Sequence, residues 1–262
     1  IVFGDWSSDV CSSDLKHSPK AVIVVHLYGL SADMDLICSI CKKHAVPLIE
    51  DAAESLCTLY KGKHTGTIGD YGIFSFNGNK IITSSGGGML VSNNCERLEK
   101  VRFWATQSRD PAKHYQHSEL GYNYRMSNVV AGIGRGQLKV LEQRIEKKKY
   151  IFDFYKKNFS ELPNVEMMPT NEWNKPNFWL SCMTLKGKIR PSDIIEALEK
   201  ENIESRPVWK PMHMQPFFSE YDFIQCGVSE KLFEDGICLP SDTKMTDDDL
   251  NMVADIIKSI CQ

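Results

Sequence analysis

Two side chains in this sequence carry complementary chemistry at the ends of apolar runs: an amine, Lys80, and a carboxylate, Asp51. Lys80 follows the run Tyr71 to Phe76 and the polar turn Asn77-Gly78-Asn79, and its sequence neighbours include Ile73, Phe74, Phe76, Ile81 and Ile82. Scarce water disfavours an ammonium relative to the free amine, the form that attacks a carbonyl or holds an aldehyde cofactor as a Schiff base. A single lysine between two strands is ordinarily a hairpin residue with its head in water. A second stretch, Val46 to Glu54, VPLIEDAAE, shifts that balance: Glu50 and Asp51 end what reads as a buried parallel strand. Open α/β sheets bind ligands at the carboxyl ends of their strands, so Asp51 and Lys80 are expected to face one crevice.

The elements that must position them begin at Ala21. AVIVVHL reads as a buried strand, Tyr28-Gly29-Leu30 as a turn, Ser31 as a helix cap and Asp33 to His44 as a helix, with VPLIED as the next strand. Strand, helix, strand implies a parallel sheet with crossover helices. Tyr60 to Lys63 is a hairpin-like turn, Gly72 to Phe76 and Gly88 to Ser92 are strands, and Asn94 or Cys95 opens a short amphipathic helix through Phe103. The irregular stretch after Thr106, QSRDPAKHYQHSELGYNYRMSN, is too long and too rich in His, Tyr and Arg for a mere linker. Asn128 to about Leu162 reads as one very long helix or two in line, and Pro163 closes it. The expected division is therefore a larger domain, 16–163, and a smaller C-terminal α/β domain, 164–262. The latter should contain strands Phe178 to Leu185 and Ile203 to Val208 and helices Pro191 to Glu201 and Thr246 to Cys261. RPVWKPMHMQPFF is a stiff aromatic loop, either core filler or a lid; Arg206, Lys210 and His213 favour the lid.

Composition narrows the function classes. Charged residues make up 25% of the 262, and the net charge of -3 with no basic run argues against a nucleic-acid partner. Every hydrophobic run breaks well before a membrane crossing. Nine cysteines form no disulfide framework, and reduced thiols point to the cytoplasm. Cys38 and Cys41 have CxxC spacing but fall inside a helical pattern and read as buried thiols, while His114 and His117 lack partners at metal-ligand spacing, so no metal is expected. Asp5 to Leu15, DWSSDVCSSDL, repeats Ser-Ser-Asp, has no period, and can be written as a sequencing adapter read in frame; residues 1–15 are expected to be non-native, the other reading being a disordered Ser/Asp tail.

Taken together, EDAAE, GDYGIFSFNGNKIITSSGGGML, GYNYRMSNVVAGIG, RPVWKPMHMQPFF and GICLPS resemble the sugar-nucleotide (DegT/DnrJ type) aminotransferases in order and spacing, from about Ala21 onward. That family has the aspartate-aminotransferase fold and uses pyridoxal 5'-phosphate. SFNGNKIITSSGGGML with RPVWKPMH is most similar to the transaminases that make UDP-4-amino-4,6-dideoxy-N-acetylglucosamine, the bacillosamine precursor. The resemblance implies an α/β PLP-dependent transferase (fold type I), with an incomplete large domain. It makes Lys80 the catalytic residue, Asp51 the partner of the pyridine nitrogen, and Ser75 a donor to the cofactor phosphate with Asn77 close by. Glu54 matches a position on the same face of the ring, and Asn123 one that reaches the phosphate of a neighbouring subunit in a homodimer. Arg125, Arg206 and His213 are weaker matches to nucleotide-sugar contacts, and glutamate is the implied amino donor. A dehydratase branch replaces the lysine with histidine, so Lys80 argues against it; the choice of keto-sugar carbon, or a non-catalytic module on this fold, stays open. Cys57 stands where the family usually has glycine, and Gly136 where alanine is commoner. The family's N-terminal section, with its phosphate-binding amides and stacked aromatic, has no match here, so this chain alone is expected to bind cofactor poorly and to be inactive.

Overall fold

A computed structural model describes residues 19–261 apart from Gln225, so the adapter-like segment lies outside the described residues. The chain forms two compact units, one of Lys20–Leu27 and Ser31–Glu142, the other of Tyr28–Leu30 and the residues from Gln143 onward.

The first unit runs β1 (Val22–Val25), α1 (Met34–Lys43), β2 (Leu48–Asp51), the hairpin β3 (Leu59–Tyr60) and β4 (Lys63–His64), β5 (Tyr71–Ser75), β6 (Gly88–Val91), α2 (Cys95–Ala105), α3 (Asn128–Leu138) and the start of α4 (Leu141–Asn158). Its sheet has the order β1-β2-β5-β6, with β1, β2 and β5 parallel and β6 antiparallel at the edge. The register sets Val24 beside Glu50 and Glu50 beside Gly72, a buried row. The opposite face carries Ile23, Val25 and Ile73, all exposed. β1 is thus buried on one face only, although its apolar residues fall on both sides of a period-two strand. Asp33, not Ser31, caps α1, its carboxylate accepting from the Leu36 N–H at 3.4 Å. Asn94 caps α2 in the same way from Arg97 at 3.0 Å, but no residue of α2 is buried, so the expected amphipathic face has no core behind it. The long helical pattern resolves into two helices, with Lys139 and Val140 between them.

The second unit continues through α4 to β7 (Val165–Met167), β8 (Asn174–Lys175), β9 (Ser181–Leu185), α5 (Pro191–Lys200), β10 (Arg206–Pro207), α6 (Val228–Asp235), β11 (Gly236–Leu239) and α7 (Asp247–Cys261). Its antiparallel sheet has the order β10-β11-β9-β7. Met183, Leu185, Ile237 and Leu239 join Ile194 and Leu198 of α5 and Leu250, Val253 and Ile257 of α7 in one core. At about 1.5–3 kcal/mol per fully buried aliphatic or aromatic side chain, this cluster dominates the unit's stability. Ile151 and Tyr155 of α4 and Phe159 just beyond it belong to it, and Phe152 to a smaller cluster with Phe178, Cys182 and Cys238. That is why this unit begins at Gln143 and not near Pro163. Strand ends also differ from expectation: Phe178 has φ +53, so β9 starts only at Ser181, and Pro207 has no N–H with which to extend β10.

Lys148 is buried in this unit, donating to the carbonyls of Trp179 at 2.8 Å and Ser241 at 2.5 Å. Burial lowers its pKa from the ordinary 10.5 to about 8, with Arg144 acting in the same direction and Asp242 against it. Between these values the folded chain holds fewer protons than the unfolded one, so stability should rise with pH. We expect the unfolding free energy, followed by urea titration from pH 8 to 10, to rise by about 1–3 kcal/mol in the native protein. Lys148→Met should abolish the rise.

Candidate active site

β2 and β5 are adjacent and parallel, and their carboxyl ends lie side by side, with Asp51 paired in register to Ile73. Asp51 closes β2, and its carboxylate accepts from the Ala53 N–H at 3.1 Å, which turns the chain away from the sheet. Glu54 follows in that turn. Beyond β5, Phe76 bonds Gly87 and its carbonyl accepts from Ser84, so the loop 77–86 closes on its own base. Ile81 and Ile82 are buried and anchor it, while the Lys80 N–H donates to the Asn77 carbonyl at 3.1 Å. The result is a lysine with little water around it. The Lys80 side chain is 14% exposed, and its Nζ sits 3.8 Å from Oε1 of Glu54, itself 11% exposed.

Ser75 ends β5, and its Oγ accepts from the Asn77 N–H at 3.3 Å, which leaves its own proton for another acceptor. The Asn77 amide reaches Asn79 at 3.5 Å. Asn123 and Arg125 are exposed on the segment beside the C-terminal end of α2, where Asn123 pairs with Thr106 and the Arg125 N–H donates to Ala105. In that same irregular stretch, His114 bonds Gln116 and His117 bonds the Gln107 carbonyl. Lys80 and Glu54 are therefore brought together, Ser75 with Asn77, and Asn123 with Arg125.

Arg206 and His213 belong to the other unit. Arg206 is exposed on β10 and pairs with Glu204, whereas His213 pairs with Glu230 at 2.8 Å and stacks on Phe223 at 4.8 Å. In the aromatic loop, Trp209 lies 5.5 Å from Tyr28 and 6.4 Å from Trp179 but is itself exposed, as are Met212 and Phe217.

One group escaped the sequence reading. Glu50, fully buried next to Asp51, takes bonds on both oxygens: His26 at 2.9 Å and Gly66 at 2.7 Å on one, Ile68 at 2.6 Å and Gly69 at 2.5 Å on the other. His26 is equally buried, and its second ring nitrogen accepts from the Ala32 N–H at 3.2 Å, which fixes the Nε2–H tautomer. Burial alone would raise the Glu50 carboxyl, but the His26 bond and the Gly69 and Gly66 amides outweigh it and hold the group below its usual range. Gly72 makes the crossing possible, since a Cβ there would lie 1.8 Å from the Gly66 carbonyl oxygen. The available signal was a histidine ending an apolar strand run.

Cys57, in the loop after Asp51, has φ +65, which explains why glycine suits the position. Cys57→Val should cost about 2 kcal/mol in chemical denaturation, since β-branched residues resist this conformation, whereas Cys57→Gly should be tolerated.

The chain is similar to known proteins. The chain is 54% identical over 243 residues to "Putative pyridoxal phosphate-dependent aminotransferase EpsN" of Bacillus subtilis (strain 168), covering 91% of this chain and 63% of that protein. It is 35% identical to GDP-perosamine synthase of Caulobacter vibrioides, covering 89% of this chain and 64% of the relative. The chain thus spans a little under two thirds of the length of these relatives. The crystal structure of aminotransferase TlmJ from Streptoalloteichus hindustanus superposes with a TM-score of 0.87 at 24% identity, over 93% of this chain and 67% of that one, and shows the shared fold. With a family profile matching residues 10–258, nearly the whole described chain, the protein belongs to the DegT/DnrJ/EryC1/StrS aminotransferase family.

Proposed function

We propose that the protein containing this chain transfers an amino group from glutamate to the 4-keto group of a nucleotide-linked 6-deoxy sugar, with pyridoxal phosphate as cofactor. The observation that carries the reading is the weakly hydrated Lys80 amine, 3.8 Å from Glu54, beyond a strand whose neighbour ends in Asp51. The donor set fits the cofactor: an amine for its aldehyde, a carboxylate for its ring nitrogen, and a hydroxyl with an unused proton for its phosphate. When bound, pyridoxal phosphate supplies an electron sink for the carbon that gives up a proton. Lys80 would hold the cofactor through its amine and, as a free base, would move a proton at the substrate carbon. Asp51 keeps the ring nitrogen protonated. Glu54 orients the Lys80 Nζ, and Ser75, with Asn77 bracing it, donates to the phosphate.

The reading extends to a cytoplasmic homodimer in which Asn123 reaches the phosphate in the neighbouring subunit. Arg125 offers charge to the nucleotide diphosphate, and Arg206 is a nucleotide-sugar contact on the sequence resemblance. His213 contacts the sugar through the ring nitrogen that Glu230 does not occupy. The sugar is a UDP-linked N-acetylhexosamine on the sequence resemblance; the relative named GDP-perosamine synthase favours a GDP-linked counterpart as the second reading. The test incubates the protein containing this chain with pyridoxal phosphate, glutamate and each 4-keto-6-deoxy sugar nucleotide, and identifies the product by mass and NMR. Amination at C4 of the UDP-sugar is expected. Turnover of the GDP-sugar alone would replace the first substrate with the second, and amination of neither would overturn the proposal.

A further inference from the structure

Cys182 on β9 and Cys238 on β11 stand directly opposite each other in the antiparallel ladder of the second unit, with their sulfurs 3.6 Å apart. Both are buried, in the cluster that also holds Phe152, Met168 and Phe178. The kind of pair they form follows from the neighbouring bonds. The Cys182 carbonyl accepts from the Met168 N–H, on the side of β9 away from β11. The Gly236 carbonyl, two residues before Cys238, accepts from the Val208 N–H, on the side of β11 away from β9. Backbone polar groups in a strand alternate sides with a period of two, so Cys238 also points its N–H and C=O away from β9. The two cysteines are therefore a non-hydrogen-bonded pair, the narrow kind, with Cα atoms about 4.5 Å apart and side chains at their closest. That separation lies inside the range a disulfide spans, at its short end.

We propose that Cys182 and Cys238 are a site of reversible oxidation that links β9 to β11 through a disulfide when the protein meets a peroxide. A peroxide is small enough to reach thiols with so little exposure. One thiolate attacks a peroxide oxygen, the O–O bond breaks, and the first oxygen leaves as water once protonated. The sulfenic acid so formed is attacked by the second thiol, the S–S bond forms, and the second oxygen leaves as water; two thiol protons and two electrons pass to one peroxide. Since the strands are already adjacent, the link changes the native arrangement little and acts by restricting the unfolded chain. An added dithiol should reverse it by thiol–disulfide exchange.

The test treats the folded protein with stoichiometric hydrogen peroxide, alkylates the remaining thiols under denaturing conditions and maps peptides without reduction. A peptide joining Cys182 to Cys238 is expected in most molecules, reversed by dithiothreitol, together with a melting temperature several degrees above that of the reduced protein. Cys182→Ala and Cys238→Ala should each remove both the linked peptide and the melting shift. Recovery of Cys182 and Cys238 as alkylated thiols while the exposed Cys95 and Cys226 are oxidised would overturn the proposal. So would a linkage that forms only in denaturant. The map is read on the unsubstituted protein, so the outcome stands even if a variant folds badly.

Discussion

Lys80→Ala in the protein containing this chain should lower transamination at least about 10³-fold, because in the proposed mechanism one side chain both holds the cofactor and moves the proton. Lys80→Arg should be as damaging. It keeps the positive charge beside Glu54 but has no amine that can bond an aldehyde carbon, so the two variants separate a chemical role from an ion-pair role. Circular dichroism and the melting temperature should change little, since the loop is anchored by Ile81 and Ile82 and by the Phe76 contacts, none of which passes through the lysine side chain. A second readout needs no turnover: borohydride should fix pyridoxal phosphate to the unsubstituted protein at Lys80 and to neither variant. If Lys80→Ala keeps activity within an order of magnitude, or if the fixed cofactor maps to another lysine, the proposed mechanism fails.

The position of Asp51 at the end of β2 was legible because a charged residue at the end of an apolar strand run has few places to go. Strand-end geometry then does the rest: β2 and β5 are parallel neighbours, so their last residues share an edge of the sheet. Where the sequence reading went astray, a local backbone fact overrode a composition pattern. FWLSCMTL is apolar enough for one long strand, but the positive φ of Phe178 delays the ladder to Ser181. ENIESRPV has the alternation of a strand, and only Arg206 and Pro207 pair with β11. β11 itself, the inner strand GICL beside β9, was seen as part of a family motif and not as a strand, since four apolar residues after a helix carry no period of their own. The boundary near Pro163 failed for a different reason. A proline ends a helix, but the unit is decided by where that helix buries its apolar face, and Ile151, Tyr155 and Phe159 bury theirs with the C-terminal sheet.

The least legible feature has the largest expected effect on stability. Each oxygen of Glu50 accepts two bonds from N–H donors, so both oxygens are fully committed to acceptance. Glu50→Gln is nearly isosteric, yet it turns one oxygen into an NH₂ that must face two donors. Its cost should therefore approach that of Glu50→Ala, about 3–5 kcal/mol in urea unfolding, where a shape argument alone would predict almost none. The pH dependence gives an independent check. The folded-state pKa of Glu50 lies below the ordinary 4.5, so its contribution is fully present above that value and is lost as pH falls through the lower folded value. The stability gap between the native protein and Glu50→Gln should thus be flat from pH 5 to 7 and shrink below about pH 4.5. A gap that stayed constant into acid would mean that the carboxylate charge contributes nothing to holding residues 66–69 against the end of β2. In that case Asp51 would owe its position to the turn at Ala53 and not to the buried anchor beside it.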